Sequence, residues 1–249
     1  MNIQSYHVDL PTPTGIMCTY VHRPVGEGTY PAILMYSEIF QQTGPIERSA
    51  RLMAGHGYAV LVPEVFHELN LVGTVLAYDD AGRDKGNADK SEKSVEGYDS
   101  DNAAMIAWLL EAPQQTWCNG LIGAMGFCIG GHLAFRAALQ ATVKATACFY
   151  ATDLHTQIIP NQTGQHSMLR LSDLKGEVML AWGKSDPHIP AAARAQLYHQ
   201  LSNSPVNFTW HEFQGTHAFM RDEGERYDAQ LSLVCYQLAL DLFRRVLRK

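Results

Sequence analysis

A cysteine stands between two glycines in Gly126-Phe127-Cys128-Ile129-Gly130, after the apolar run Leu121-Ile122-Gly123-Ala124-Met125 and before Gly131 and a helix-forming segment. A chain that leaves a buried strand here, turns sharply and enters a helix presents the central side chain at the tip of the turn. The glycines two residues to either side give that bend its room, because neither carries a Cβ. The chemistry this predicts is covalent catalysis by the Cys128 thiol. Alone the pattern is weak, since a buried free cysteine is usually just a small hydrophobe. The reading depends on an acid and a base arriving in the right order.

Both arrive. Asp186 lies in Gly183-Lys184-Ser185-Asp186-Pro187-His188, just past the apolar segment 178–182, and His217 lies in Gln214-Gly215-Thr216-His217, just past the segment 206–213. Nucleophile, acid and histidine in that order form the sequence pattern of an α/β-hydrolase triad. An unperturbed thiol has a pKa of roughly 8.5, so little of it is thiolate at neutral pH. An imidazole and a helix N-terminus nearby would raise that fraction. His217 takes the proton and later activates water against a thioester, while Asp186 fixes the tautomer and stabilises the imidazolium.

These residues need elements that bring them to one place. Short β-type segments recur, several followed by helix-type sequence: 32–36 then 45–56, 59–62, 121–125 then 131–139, 145–150, 178–182 then 191–201. That alternation predicts an α/β fold with a mostly parallel central sheet and helices on both faces. Segments 3–10 and 16–21, joined by Pro11-Thr12-Pro13-Thr14-Gly15, predict an antiparallel edge hairpin; 206–213 predicts a last strand and 227–246 a long amphipathic helix. In an open sheet of this kind, reactive groups gather at the carboxyl ends of the strands. The stretch 79–101 is highly charged, holds three glycines and shows almost no apolar periodicity, so it is expected outside the core, as a solvated loop or a lid. Residues 152–171 form a second candidate cover.

At 249 residues with 46% hydrophobic and 18% charged side chains, the chain is predicted to form one domain, residues 1–249. A net charge of -6 offers no basic surface to a polyanion, which argues against nucleic acid as a partner. No run approaches the roughly 18 apolar residues of a membrane span, and the first residues read neither as a leader nor as an anchor, which predicts a cytoplasmic protein without membrane association. Five cysteines at scattered spacings fit reduced thiols better than a disulfide framework. No obligate protein partner is evident.

Four motifs together resemble the dienelactone hydrolase (carboxymethylenebutenolidase-like) family of α/β-hydrolases over nearly the whole chain. They are Ser37-Glu38-Ile39-Phe40, the elbow from Gly126 to Gly131, Asp186 with Pro187 and Pro190, and Thr216-His217-Ala218-Phe219-Met220-Arg221. The resemblance implies a catalytic set of Cys128, Asp186 and His217, with Glu38 as the carboxylate that meets the resting thiol and helps form thiolate when substrate arrives. It implies that the amides of Ile39 and Ile129 form the oxyanion hole. It also implies that Arg221 is one of two arginines holding a substrate carboxylate, a task suited to the guanidinium fork. The second arginine has no clean match: Arg83 is a candidate, with Lys85, Lys90 and Lys93 as competitors. Tyr36, Phe149 and Tyr150 are candidates for the pocket wall.

Metal binding has little support, because His211 and His217 lie six residues apart across a strand and a loop and lack the i, i+4 face of a zinc helix. His132, which follows the elbow, reads as a packing or surface residue. No phosphate loop or dinucleotide fingerprint is present, and neither a cofactor nor a metal is expected. The predicted activity is hydrolysis of a small, anionic ester or lactone through a Cys128 thioester. A broad carboxylesterase or a thioesterase would share every catalytic residue. A scaffold that only binds ligand, or a redox-sensing thiol, is the non-hydrolytic alternative.

Overall fold

The computed structural model describes residues 1–111, 116–156 and 166–248. Eight strands form one sheet: β1 (Asn2–Thr12), β2 (Gly15–Val25), β3 (Tyr30–Tyr36), β4 (Ala59–Pro63), β5 (Cys118–Phe127), β6 (Val143–Phe149), β7 (Glu177–Gly183) and β8 (Phe208–Phe213). Their spatial order is β1-β2-β4-β3-β5-β6-β7-β8. β1 and β2 pair antiparallel from Asn2↔Val25 to Thr12↔Gly15, and β2 pairs antiparallel with β4. All other neighbours run parallel. The helices are α1 (Gly44–Gly55), α2 (Asp80–Glu92), α3 (Val95–Glu111), α4 (Ile129–Ala137), α5 (Ala191–Ser202) and α6 (Ala229–Leu247).

β3, β4 and β7 are buried almost end to end, as strands covered by helices on both faces must be. The chain passes from β3 to β4 on one side, then returns to lay β5 on the other side of β3. That reversal opens a crevice at the carboxyl ends of β3 and β5, the place where open α/β sheets bind ligands. The register Tyr36↔Gly126 sets the residues after β3 beside the elbow after β5, and Gly183↔Phe213 sets the turn after β7 beside the loop after β8. Strand pairing alone therefore delivers Glu38, Cys128, Asp186 and His217 to one edge of the sheet.

The stretch 79–101 corrects the expectation of a loop, because it folds as α2 and the first turns of α3. Asp79 caps α2 by accepting from the Gly82 N–H at 2.8 Å, and exposed pairs such as Arg83–Asp80 at 2.7 Å support it. Its contacts with the body run through glycine. A Cβ on Gly82 would lie 2.0 Å from the Ala77 carbonyl oxygen, and one on Gly86 would lie 2.6 Å from that of Ile39. A helix that packs by its own backbone shows no apolar stripe, so periodicity could not reveal it. Of the second candidate cover, 152–171, residues 157–165 lie outside the described residues.

Candidate active site

Cys128 occupies the N-cap of α4 with φ 60° and ψ -126°, a left-handed conformation that a side chain holds only where its surroundings impose it. Its N–H donates to the Phe149 carbonyl at 3.1 Å. The flanking glycines are a steric necessity: a Cβ on Gly126 would sit 2.0 Å from the Gly130 carbonyl oxygen, and one on Gly130 would sit 2.3 Å from that of Tyr36 and 2.4 Å from that of Ser37. Gly130→Ala is therefore expected to give little folded protein, and any that folds should be inactive. Soluble yield and circular dichroism check this.

The same close approach brings the segment after β3 against the start of α4. Among the described residues, neither the Ile39 nor the Ile129 amide donates to another main-chain group. The first N–H groups of a helix have no partner within it, so Ile129 offers one free donor beside the sulfur and Ile39 a second from the neighbouring strand end. Gly86 of α2 rests on Ile39 itself, with a Cβ only 2.9 Å from that residue's Cβ. Gly86→Ala is expected to push α2 or Ile39 aside, lowering kcat about ten- to a hundred-fold through a displaced donor. Parent-like steady-state kinetics at an unchanged thermal midpoint would instead show that the contact carries nothing.

His217 is 5% exposed, and its Nδ1 pairs with Asp186 Oδ2 at 2.7 Å. The other oxygen of Asp186 accepts the His188 N–H at 2.8 Å, so both lone-pair faces of the carboxylate are held. The His217 ring stands edge-to-face with Tyr150 (5.2 Å) and His188 (4.6 Å), and the next residue, Ala218, has φ 60°. Burial alone would lower the His217 pKa, but the charge of the Cys128 thiolate and the Asp186 carboxylate outweigh it and push it up to about 10, so the proton stays on His217 once the thiol has ionised. Burial and the charge of His217 lower His188 instead.

Glu38 is buried, and burial pushes its carboxyl up against the pull of Arg221 and His217. Its partner is Arg221, Nη1 to Oε2 at 3.6 Å; no hydrogen bond from Glu38 to the thiol is present among the described residues. Arg221 is itself fixed, its guanidinium 4.1 Å from the Tyr78 ring centroid and its Nε donating to the Glu223 carbonyl at 3.2 Å. The sulfur lies 3.8 Å from Thr152 Oγ1 and interacts with the His217 ring as well.

A cavity of about 690 Å³ opens over these groups, lined by Glu38, Ile39, Cys128, Thr152, His217 and Arg221 and walled by α2. Arg83 reaches it but is held by Asp80 and Asp84, and Lys90 reaches it paired with Asp153 at 2.7 Å. Lys85 pairs with Asp89, and Lys93 is buried between Glu68 and Asp101. Arg226 also lines the cavity and has no hydrogen bond or ion pair among the described residues. Tyr36, Phe149 and Tyr150 lie behind the wall: Tyr36 donates to Asn102 Oδ1 at 2.6 Å, Phe149 stacks on Phe127, and Tyr150 backs His217. His132 is buried, its Nε2 2.9 Å from Ser167 Oγ. Among the described residues no group of three His, Cys, Asp or Glu side chains could hold a metal ion, and no helix is long and apolar enough to cross a membrane.

The profile of the dienelactone hydrolase family matches residues 17–247. The chain belongs to the dienelactone hydrolase family. It is 36% identical over 240 residues to a Saccharomyces cerevisiae protein named "Putative carboxymethylenebutenolidase", covering 92% of this chain and 86% of that one. It is 23% identical over 214 residues to the carboxymethylenebutenolidase of Pseudomonas putida, covering 85% and 84%. In structure it resembles a dienelactone hydrolase-like promiscuous phosphotriesterase from metagenomic libraries, with a TM-score of 0.77, 17% identity and 99% of each chain covered. This member of the family is a carboxymethylenebutenolidase-like hydrolase with the α/β-hydrolase fold, acting on ester or lactone bonds.

Sequence reasoning missed Thr152, Tyr78 and Arg226. Thr152 follows the strand β6 by three residues, the strand-end position that also marks Glu38, Asp186 and His217, and that rule was the available signal. Tyr78 and Arg226 lie in loops with no motif of their own.

Proposed function

We propose that the chain hydrolyses a small anionic ester or lactone through a thioester on Cys128. The observation that carries this reading is the thiol held at φ 60° on the start of α4 in one cavity with a His217 bonded to Asp186. His217 takes the S–H proton, the thiolate adds to the carbonyl, and the developing oxyanion is met by the Ile39 and Ile129 amides. The imidazolium, held in place by Asp186, then protonates the departing alkoxide. Neutral His217 next takes a proton from water as that water attacks the thioester, and the acid leaves.

Glu38 and Arg221 supply the coupling to an anionic substrate. Arg221 holds the Glu38 carboxyl down while burial pushes it up. A substrate carboxylate that claims Arg221 removes that pull, so the Glu38 carboxylate becomes more basic just as substrate arrives and assists the transfer of the thiol proton to His217. The second cation is Arg226 in preference to Arg83, whose guanidinium is already committed to two aspartates. Arg226→Ala is expected to raise KM for a carboxylate-bearing ester about ten-fold or more while sparing its neutral methyl ester. Equal losses on both substrates would remove the carboxylate site.

The volume of about 690 Å³ lies within the range that takes drug-sized ligands, which favours a second reading in which larger neutral esters also enter. All five cysteines are free, which supports a reducing, cytoplasmic setting, and the one sheet supports a single domain. The mechanism is tested by burst kinetics. A p-nitrophenyl ester should release one nitrophenolate per chain faster than the steady rate if thioester hydrolysis is slow, and the burst should vanish in Cys128→Ala. An undiminished burst in that variant would exclude the thiol.

A further inference from the structure

The Thr152 hydroxyl has no part in the triad, the oxyanion hole or the carboxylate site, yet it lies 3.8 Å from the Cys128 sulfur. Among the described residues that sulfur is its one hydrogen-bond partner. The residue is 8% exposed and forms part of the cavity wall. Its own N–H donates to the Cys128 carbonyl at 3.2 Å, so the main chain ties it to the residue whose side chain it faces.

The turn that carries Thr152 is fastened on every side. The Tyr150 N–H donates to the Ala181 carbonyl at 2.8 Å, and Asp153 accepts from Lys90 of α2 at 2.7 Å. Ala151 packs so closely on α4 that a Cβ on Gly131 would lie 3.0 Å from its own. Tyr150 (φ 39°) and Asp153 (φ 61°) flank the site in the left-handed region. Two such residues within four positions mark a turn whose shape is imposed, and imposed turns gather at functional sites.

The hydrogen bond changes character when the thiol ionises. In the neutral thiol either atom can be the donor. When the S–H bond breaks, the proton passes to His217 and the electron pair stays on sulfur, which can then only accept. Thr152 O–H must donate, and donation to an anion is the stronger case. A contact that strengthens with charge favours the thiolate over the thiol. Its length fits a resting site, since such bonds tighten as charge develops.

We propose that Thr152 is a further catalytic residue, whose hydroxyl donates to the Cys128 thiolate when it attacks and again when sulfur is expelled from the thioester. This rests on Cys128 being the nucleophile. A purely structural Thr152 would act through its main-chain N–H and its methyl group, both of which valine keeps.

Thr152→Val separates the two, read by the pH profile of Cys128 alkylation with iodoacetamide and by kcat/KM on p-nitrophenyl acetate. The titratable and charged groups that share the cavity with the sulfur include Glu38 after β3, His188 after β7, His217, Arg221 and Arg226 after β8, and Asp153 with its partner Lys90; all are left intact. The valine variant is expected to move the alkylation profile to higher pH by about one unit and to lower kcat/KM about ten-fold. Thr152→Ala should do the same, and Thr152→Ser should restore both. A valine profile superimposable on the parent, or a serine variant as impaired as valine, overturns the proposal. Cys128→Ala run alongside keeps the failures apart: surviving hydrolysis there defeats the nucleophile itself, whereas a dead alanine variant with an unaltered Thr152→Val defeats only the role of Thr152.

Discussion

Cys128→Ala should lower hydrolysis on the order of 10⁴-fold or more, with the fold intact. Alanine takes the same φ of 60° no less readily than cysteine, and Gly126 and Gly130, which make the bend, are untouched. Circular dichroism and the thermal midpoint should therefore match the parent while p-nitrophenyl ester turnover disappears. Cys128→Ser tests the activation step more finely. A hydroxyl does not ionise ahead of attack, so His217 would have to remove its proton within the transition state, and a loss of at least about a hundred-fold is expected. Parent-like activity in the serine variant would show that thiolate formation, and with it Glu38, is irrelevant to rate.

His217→Ala is expected to lower kcat/KM by about 10³- to 10⁴-fold, because one side chain supplies both the base that takes the thiol proton and the acid that serves the leaving group. A redox-sensing thiol would behave differently, losing little of its reaction with peroxide. The histidine also has a signature in stability. Its folded pKa of about 10 lies above the unperturbed value near 6.5. The folded state thus holds this proton more tightly than the unfolded chain does. That contribution is fully present below about pH 6.5 and is lost as pH rises through about 10. The stability gap between parent and His217→Gln should accordingly narrow across that window, as read by urea unfolding at a series of pH values. A gap that widens with pH would show that the histidine is buried neutral. Asp186→Asn should shrink the gap too, since the carboxylate at 2.7 Å from Nδ1 is one of the groups that hold the proton.

What the sequence made legible was decided by how each feature is encoded. The elbow, Asp186 and His217 sit at strand ends whose apolar runs are read directly, and parallel pairing brings them together. The edge hairpin was visible in its turn residues, although β1 and β2 run longer than the apolar positions alone suggest. α2 was hidden because its buried face is made of Gly82, Gly86 and Asp89 and carries no hydrophobic stripe. α3 does carry one, with Tyr98, Met105, Ile106 and Leu109 buried, but its charged first turns masked the helix and it was not read. Tyr36 looked like a pocket residue by its place at a strand end, yet β3 is buried on both faces and its hydroxyl turns inward to Asn102. The resemblance implied that Glu38 meets the resting thiol, but whether a carboxylate there meets a thiol or a guanidinium depends on loop geometry after β8, and here it meets Arg221.

Rapid acid quench during turnover, followed by peptide mass analysis, tests the thioester most directly. The peptide containing Cys128 should gain the mass of the acyl group and lose it on treatment with hydroxylamine. An unmodified Cys128 peptide under conditions where the acyl group is found on another residue would contradict the account.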